Sequence, residues 1–453
     1  MGGRVYGEIT TPRITSVSTD SRAFREGALF FAIKGERFDG HVFVETVLEQ
    51  GAAAAVVDDV SKVDRKYRTS GRLVEVPDTV LALGRLAGWY RRQFAAQVIA
   101  VLGSNGKTTV KDLIGAVLGS TLPGRVAEAS FNNAIGVPLT LLAAEPADEF
   151  LVVEIGTNHP GEVATLARIA SPDLAVVTSI GEEHLAFFEN LEAVAREEFS
   201  FLSLMRSRAF VAVSDQAAPY APRRTDRSCV MLTYGCDAGA DLRAENIKQN
   251  QRGQRFRVNG RFDYTIPLFG RHNVRNALAA IAIGTRFRLP HDRIAAALSK
   301  CHAPPMRLER RKLGSITVIN DAYNANPGSM RAAFEAMDAT TEARRRVFIL
   351  GDMRELGTAA ARCHGAVGRE AGRSSAQVIV AVGDHARVIA DGATVTAGTS
   401  KRIYAYPSVA ALKNKLPDLL EPGDVVLLKA SRAVRLEQLV EPIAKCAHYT
   451  IVD

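Results

Sequence analysis

Apolar residues along this chain fall into two patterns. Short continuous runs bounded by glycine, proline or polar residues read as strands buried on both faces, whereas apolar positions three and four apart read as helices with one buried face. Among the first hundred residues the strand pattern falls at 28–33, 53–57 and 73–76, with helical spacing over 42–50 and 81–94. A second series opens at 98–102 and continues through 150–155 and 174–178, with helical stretches between. A polar segment over 237–264 reads as an extended or hairpin insertion, and helical spacing returns over 273–285. Strand patterns at 316–320, 346–350, 378–382, 402–404 and 425–429 close the series.

Strands that alternate with helices favour parallel sheets covered on both faces. A chain of 453 residues exceeds one ordinary core. Ala303, Pro304 and Pro305 form a natural connection, because consecutive prolines disfavour helix and extend the backbone. The expected architecture is therefore α/β in three units: a small α/β domain over 1–96, a central parallel-sheet phosphate-loop domain over 97–302 and a Rossmann-like domain over 303–453.

Composition narrows the function classes. Hydrophobic residues make up 47% and charged residues 23%, which excludes a disordered or fibrous chain. The formal charge of +8 is spread among interleaved acids. The densest basic stretches, Arg307, Arg310, Arg311 and Lys312, then Arg344, Arg345 and Arg346, read as solvated faces or nucleotide contacts, so no nucleic-acid partner is expected. Five scattered cysteines without a CxxC pair argue against disulfides and zinc. No apolar run is long enough to span a bilayer, and the N-terminal stretch lacks the apolar centre of a secretion signal. A cytoplasmic protein without a membrane partner is expected.

The strongest chemical signal is Gly103-Ser104-Asn105-Gly106-Lys107-Thr108-Thr109, directly after the 98–102 strand and before helical spacing over 110–118. Strand, glycine loop and helix start form a phosphate cradle, in which backbone amides face phosphate oxygens and the lysine offsets their charge. Thr108 is placed to bind Mg²⁺ through its hydroxyl. The loop is two residues shorter than the general GxxxxGK[ST] pattern, yet its context points to ATP. Glu154, at the end of a buried strand, faces the ligand crevice of a parallel sheet and suits the same ion; an ordinary strand-end carboxylate is the alternative. His184 follows the 174–178 strand, and spacing alone leaves it undecided between ligand and structural residue.

These motifs resemble the Mur ligases, nearly end to end. The resemblance rests on Thr19-Asp20-Ser21-Arg22, the 34–41 segment KGERFDGH, the phosphate loop, Asn132-Asn133 with Gly136-Val137-Pro138, and Glu154-Ile155-Gly156 with the 158–162 segment. It continues through His184-Leu185, Gly270-Arg271-His272-Asn273 with Asn276, Arg307-Leu308-Glu309, the 321–327 segment DAYNANP, Gly351-Asp352-Met353 and Lys429-Ala430-Ser431-Arg432. It implies an ATP- and Mg²⁺-dependent ligase that forms an amide bond through an acyl phosphate. Ser21, Arg22, Lys34, Gly35, Phe38, Asp39, Gly40 and His41, with Asn132 and Asn133, would hold the UDP-linked substrate. Lys107 and Thr108 would hold the ATP phosphates and Mg²⁺, with Glu154 and His184 completing the metal site, so the resemblance rather than spacing decides His184. Asn273 and Asn276 would lie near adenine, Arg307 and Asp321 near phosphates and ribose, and Tyr323 beside the base.

The segments NNAIGVP and YNANP look like the branch that joins D-alanyl-D-alanine to UDP-N-acetylmuramoyl-tripeptide, acting as a monomer; the third tripeptide residue, lysine or diaminopimelate, stays open. A related ligase for another amine, and a catalytically silent nucleotide-binding homologue, are the alternatives. His159 is a conceivable acceptor for the amine proton. Two positions depart from the family pattern. Where the family has a carbamoylated lysine near the second metal, this chain has Glu198, whose carboxylate would replace the modified lysine unless Glu197 and Glu198 form a mere charged helix face. Ala430 stands where glycine is usual, and its methyl would crowd a backbone approach to substrate.

Overall fold

The computed structural model describes residues 2–8, 13–36, 38–205, 208–222, 229–250, 252–340 and 343–448. Arg37 of the first-domain motif lies outside them, as do residues 9–12 of the N-terminal stretch. The chain forms three sheets, in keeping with the three-unit α/β architecture read from the sequence.

The first sheet has the order Arg4–Gly7, Ser70–Glu75, Ala54–Val57, Ala28–Phe31, Ser16–Ser18, parallel except at the Arg4–Gly7 edge. The Ala28–Phe31 strand is buried throughout, as an unbroken apolar run between two helix-covered faces requires. The helix Thr79–Arg91, capped by Asp78 accepting from the amides of Val80 and Leu81, leads into the second sheet.

The second sheet has nine strands, in the order Phe262–Ile266, Gly253–Val258, Leu242–Asn250, Val230–Gly235, Phe210–Ser214, Leu174–Val177, Gln97–Leu102, Phe150–Glu154, Gly124–Val126. Gln97–Leu102 runs parallel between two buried neighbours, with Val101 opposite Glu154 and Leu102 opposite Val177. Three strand ends therefore share one edge, the edge at which parallel sheets bind ligands. The polar insertion becomes an antiparallel meander that turns Phe256, Val258, Tyr264 and Ile266 inward while Arg257 and Asp263 pair outside. Its buried face joins the core formed with the helix Arg271–Arg286.

The third sheet has the order Glu309–Leu313, Ile316–Asp321, Asp424–Lys429, Arg345–Gly351, Val378–Val382, Arg402–Tyr406. All its pairs are parallel except the first, in which Glu309–Leu313 runs antiparallel at the edge. Arg310, Arg311 and Lys312 are exposed there; a charged edge discourages pairing with another chain. Arg345 has a different fate: it is buried against Asp424 at 2.7 Å. Among the described residues, no helix is long and apolar enough to cross a membrane.

Candidate active site

The phosphate loop needs glycine at both of its turns. Gly103 has φ +109, and a Cβ there would stand 2.5 Å from Thr178 Oγ1 and 2.8 Å from the backbone of Ser179. Gly106, at φ +91, would meet Asn276 Oδ1 at 2.7 Å. The 179–181 segment fixes the loop from the side: the Ser104 amide donates to Ser179 O at 2.8 Å, the Asn105 amide to Ser179 Oγ at 2.9 Å, and the Gly181 amide to Ser104 Oγ at 2.9 Å. The helix Lys107–Gly119 starts here, so its unpaired amides open toward the cleft.

Thr108 and Glu154 meet at that opening. The Thr108 hydroxyl donates to Glu154 Oε2 at 2.8 Å, and Asn132 Nδ2 donates to Glu154 Oε1 at 2.9 Å. Glu154 is only 1% exposed, and Ser130 Oγ lies 3.3 Å from Thr108 Oγ1. Nearby, Glu183 Oε1 is buried without a hydrogen-bond partner among the described residues. Oxygen donors dominate the set, with an anionic oxygen left unsatisfied in the same cleft wall. That chemistry fits a hard divalent cation such as Mg²⁺.

Lys107 lies among three carboxylates. Burial opposes its charge, but Glu183, Glu198 and Glu154 outweigh that and hold its ammonium above the usual lysine range. Its Nζ donates to Gly103 O. Glu198 is fully buried behind the loop, where Oε2 accepts the Gly103 amide at 2.8 Å and Oε1 has no partner among the described residues. Burial pushes its carboxyl up to about 7, with Lys107 opposing and Glu183 adding to the rise. Glu198 is absent from the cleft lining. Glu197 anchors the backbone instead, accepting from the amides of Gly161 and Val163 at 2.8 and 2.9 Å. Neither residue belongs to a solvated helix face.

His184 lines the cleft with φ +49. Its Nδ1 lies 2.6 Å from Glu355 Oε2, and its Nε2 3.9 Å from Glu183 Oε2. Burial works against its charge, but Glu355 and Glu183 raise its pKa overall.

The third sheet closes the cleft from the other side, enclosing about 860 Å³. Arg307 Nη2 donates to Thr108 Oγ1 at 2.9 Å while its guanidinium lies 4.2 Å from the Tyr323 ring centroid. Asp321 accepts from the Leu308 amide at 3.1 Å and pairs with the buried Lys429 at 2.6 Å. Asn326 Nδ2 donates to Asn105 Oδ1 at 2.9 Å. Asn273 and Asn276 form the wall behind Gly106, joined by a 2.8 Å hydrogen bond. Thr109 completes the lining expected for ATP. His272, also in the lining, is pushed down to about 4 by burial and by the charges of Lys429 and Arg275.

The residues expected to hold the UDP-linked substrate divide into two groups. Asn132 and Asn133 line the central cleft, where Asn133 Oδ1 accepts from the amides of Ile135 and Gly136. The others sit in the first unit. Arg22 is exposed and paired with Asp20 at 2.8 Å, which holds the Asp20 carboxyl down at about 2. The backbones of Lys34 and Asp39 pair in an isolated antiparallel β-bridge, and the Gly35 amide donates to Phe38 O at 2.8 Å, forming a tight loop that leaves Phe38 exposed. Gly40 is obligatory, because a Cβ would lie 2.7 Å from Ile33 N. His41 is buried between Asp39 and Asp58. Ser21 lies beside Arg22 in the turn after Ser16–Ser18.

Ala430 corrects one expectation. Its methyl is buried in the hydrophobic core with Leu436 and faces Gly351, where a Cβ would lie only 2.7 Å away. The methyl fills core space instead of crowding the cleft. His159 is half-exposed, its ring tilted 52° against that of Phe187 with centroids 4.1 Å apart, outside the cleft lining. Sequence reasoning passed over Glu183, Ser130 and Lys111. Lys111 is a buried lysine that donates to Ala127 O at 2.7 Å and Ala129 O at 2.6 Å, holding the strand-to-loop segment that carries Ser130 and Asn132. Only Glu183, beside His184, gave a signal in the sequence.

Comparisons with known proteins place the chain in a family. Residues 13–91 match the family model described as Mur ligase family, catalytic domain; residues 101–284 match the Mur ligase middle domain; residues 306–432 match the Mur ligase, glutamate ligase domain. The chain is similar to the UDP-N-acetylmuramoyl-tripeptide--D-alanyl-D-alanine ligase of Bacillus subtilis, 35% identical over 97% of this chain and 96% of the relative. It is similar to the Escherichia coli protein of the same description, 33% identical over 96% of each. A crystal structure of MurF from Acinetobacter baumannii superposes with a TM-score of 0.85, at 30% identity over 95% of this chain and 94% of that one. A Thermotoga maritima MurF structure in complex with ADP shares the fold, with a TM-score of 0.80 at 24% identity over 96% of this chain and 98% of that one.

Proposed function

The chain belongs to the Mur ligase family, and from that premise we propose how its cleft joins D-alanyl-D-alanine to UDP-N-acetylmuramoyl-tripeptide at the expense of ATP. A carboxylate resists amines because it is anionic and has no good leaving group. Transfer of the γ-phosphoryl group from ATP to the terminal carboxylate of the tripeptide gives an acyl phosphate and ADP. The neutral amine of the dipeptide attacks the acyl carbon, phosphate departs with the bonding pair, and the amine proton passes to a base or solvent.

The observation that carries this reading is the meeting of the phosphate loop, the Thr108–Glu154 pair and Lys107 at one sheet edge. Amides at the start of the Lys107–Gly119 helix bind the phosphates, and the Lys107 ammonium offsets the charge that develops during transfer. Thr108 and Glu154 are the residues that would hold Mg²⁺, whose contribution when bound is to neutralise phosphate oxygens. Arg307 and Tyr323 close over the nucleotide from the third sheet, with Asn273 and Asn276 beside it. Glu198 sets the Gly103 amide and balances Lys107 from behind the loop, so its carboxylate acts on the lysine rather than inside the cleft. Enclosure between two units keeps water from the acyl phosphate.

The first unit, with Ser21, Arg22, Lys34, Gly35 and the 38–41 turn, receives the uridine diphosphate end, while Asn132 and Asn133 meet the muramyl-peptide side near Glu154. In this reading the enzyme works as a monomer in the cytoplasm, where ATP and the nucleotide-linked precursor are found. Purified protein given ATP, Mg²⁺, UDP-N-acetylmuramoyl-tripeptide and a panel of amino acids and dipeptides tests the assignment by product mass. D-alanyl-D-alanine should be the preferred amine by a wide margin; preference for a single amino acid would overturn the assignment.

A further inference from the structure

The 351–357 segment carries a carboxylate whose placement is fixed residue by residue. Asp352 accepts from the amides of Asp384 and His385, each at 2.9 Å. The Met353 amide donates to His364 Nε2 at 2.9 Å, and the Arg354 amide to Ser431 Oγ at 2.9 Å. Asp352, His364 and His385 lie close enough to suggest a metal site. The rings of His364 and His385, however, are stacked 4.1 Å apart and 4° from parallel, so their in-plane lone pairs do not converge. One of those lone pairs already accepts the Met353 amide. The cluster holds a loop.

What the loop presents is Glu355. It follows the pinned residues at φ +63, in the left-handed region, which costs a side-chain-bearing residue about 1–2 kcal/mol. From there its carboxylate crosses from the third unit to the second and lies 2.6 Å from Nδ1 of His184, itself at φ +49. The Ala186 amide donates to Glu355 O at 3.1 Å, and Gly357 approaches Ala186 so closely that a Cβ would stand 3.0 Å from its Cα. Two strained residues from different units face one another in one ion pair. Strain of this kind persists only where surrounding contacts hold it.

We propose that Glu355 is a positioning residue for the ligation: it holds the His184 ring from the opposite unit, so that the cleft wall is complete only when the third sheet is docked on the second. A carboxylate beside one imidazole nitrogen keeps the proton there and leaves the other nitrogen free for the cleft. The Glu355 oxygen lies off the line of a good hydrogen bond to Nδ1, so in this pose the pair acts through charge and proximity. Docking and site assembly are thereby one event, which ties phosphoryl transfer to a cleft already shielded from water. This inference rests on the ligase reading above.

The experiment uses the full chain. Wild type must first form ligated product; its failure to do so with any amine would count against the ligase reading and not against Glu355. Glu355→Ala should then lower kcat by about 10- to 100-fold with KM for ATP nearly unchanged, since the residue acts through His184 and not on the nucleotide. Glu355→Gln, which is the same size and keeps an acceptor oxygen, should recover part of the loss. In protein free of nucleotide, ¹⁵N spectra of the histidine rings at pH 8 should show the His184 signals displaced in Glu355→Ala. Thermal midpoints and ADP binding show whether each variant is folded. A Glu355→Gln or Glu355→Ala protein with kcat within about twofold of wild type, or His184 signals unchanged by Glu355→Ala, would overturn the proposal.

Discussion

Replacing Glu198 by glutamine isolates the effect of its charge behind the phosphate loop. Burial pushes this carboxyl from an ordinary 4.5 up to about 7, against the pull of Lys107. Between those values the folded protein keeps a proton that the unfolded chain has released. The group's contribution to stability is therefore full below about pH 4.5, falls as the pH rises, and levels off above about pH 7. At about 1.4 kcal/mol per pH unit, the displacement is worth roughly 3 kcal/mol. Glutamine keeps an oxygen for the Gly103 amide and has no proton to lose. The stability of Glu198→Gln relative to wild type should thus rise by roughly 3 kcal/mol between about pH 4.5 and pH 8. Urea unfolding followed by circular dichroism in EDTA measures it across that range. Parallel pH profiles for the two proteins would refute the reasoning. Activity should move the other way, because Lys107 loses a counter-charge that holds it at the loop.

Other residues give equally direct expectations. Lys107→Met should lower kcat by at least about 100-fold, measured as ADP release, because its ammonium is the one held at the phosphate loop against Gly103 O. Gly106→Ala puts a Cβ 2.7 Å from Asn276 Oδ1 at φ +91, so KM for ATP should rise while the fold persists; unchanged nucleotide affinity by calorimetry would contradict the loop geometry. Lys111→Met leaves two buried carbonyls without their charged donor and should cost about 3 kcal/mol in thermal or urea unfolding. His272, pushed down to about 4, should stay neutral from about pH 5.5 to 8 in histidine NMR spectra. Its contribution to stability is lost as pH falls from about 6.5 through 4.

The residues that sequence made legible are those whose role is local. Buried strands such as Gln97–Leu102 and Val378–Val382 are contiguous apolar runs, and the phosphate loop carries its glycines beside its lysine. Glu154 announced itself by ending such a strand. Roles that depend on distant backbone left no pattern. Lys111 looks like any helix-surface lysine until the carbonyls of Ala127 and Ala129 are placed next to it. Glu198 sits at a helix end and reads as a metal carboxylate or a solvated face, because nothing local says that the Gly103 amide and Lys107 cover it. Arg310, Arg311 and Lys312 were legible as a charged run, but their place on a sheet edge depends on pairing with Ile316–Asp321. Glu355 needed two units to meet before its role had a partner.

The central claim is that the cleft activates a carboxylate by phosphorylation before the amine attacks. Acceptor tripeptide labelled with ¹⁸O in its terminal carboxylate, turned over with ATP and D-alanyl-D-alanine, tests it most directly. One labelled oxygen should appear in the released phosphate, matched to each amide bond formed. Product that forms while the phosphate stays unlabelled would contradict the acyl-phosphate route.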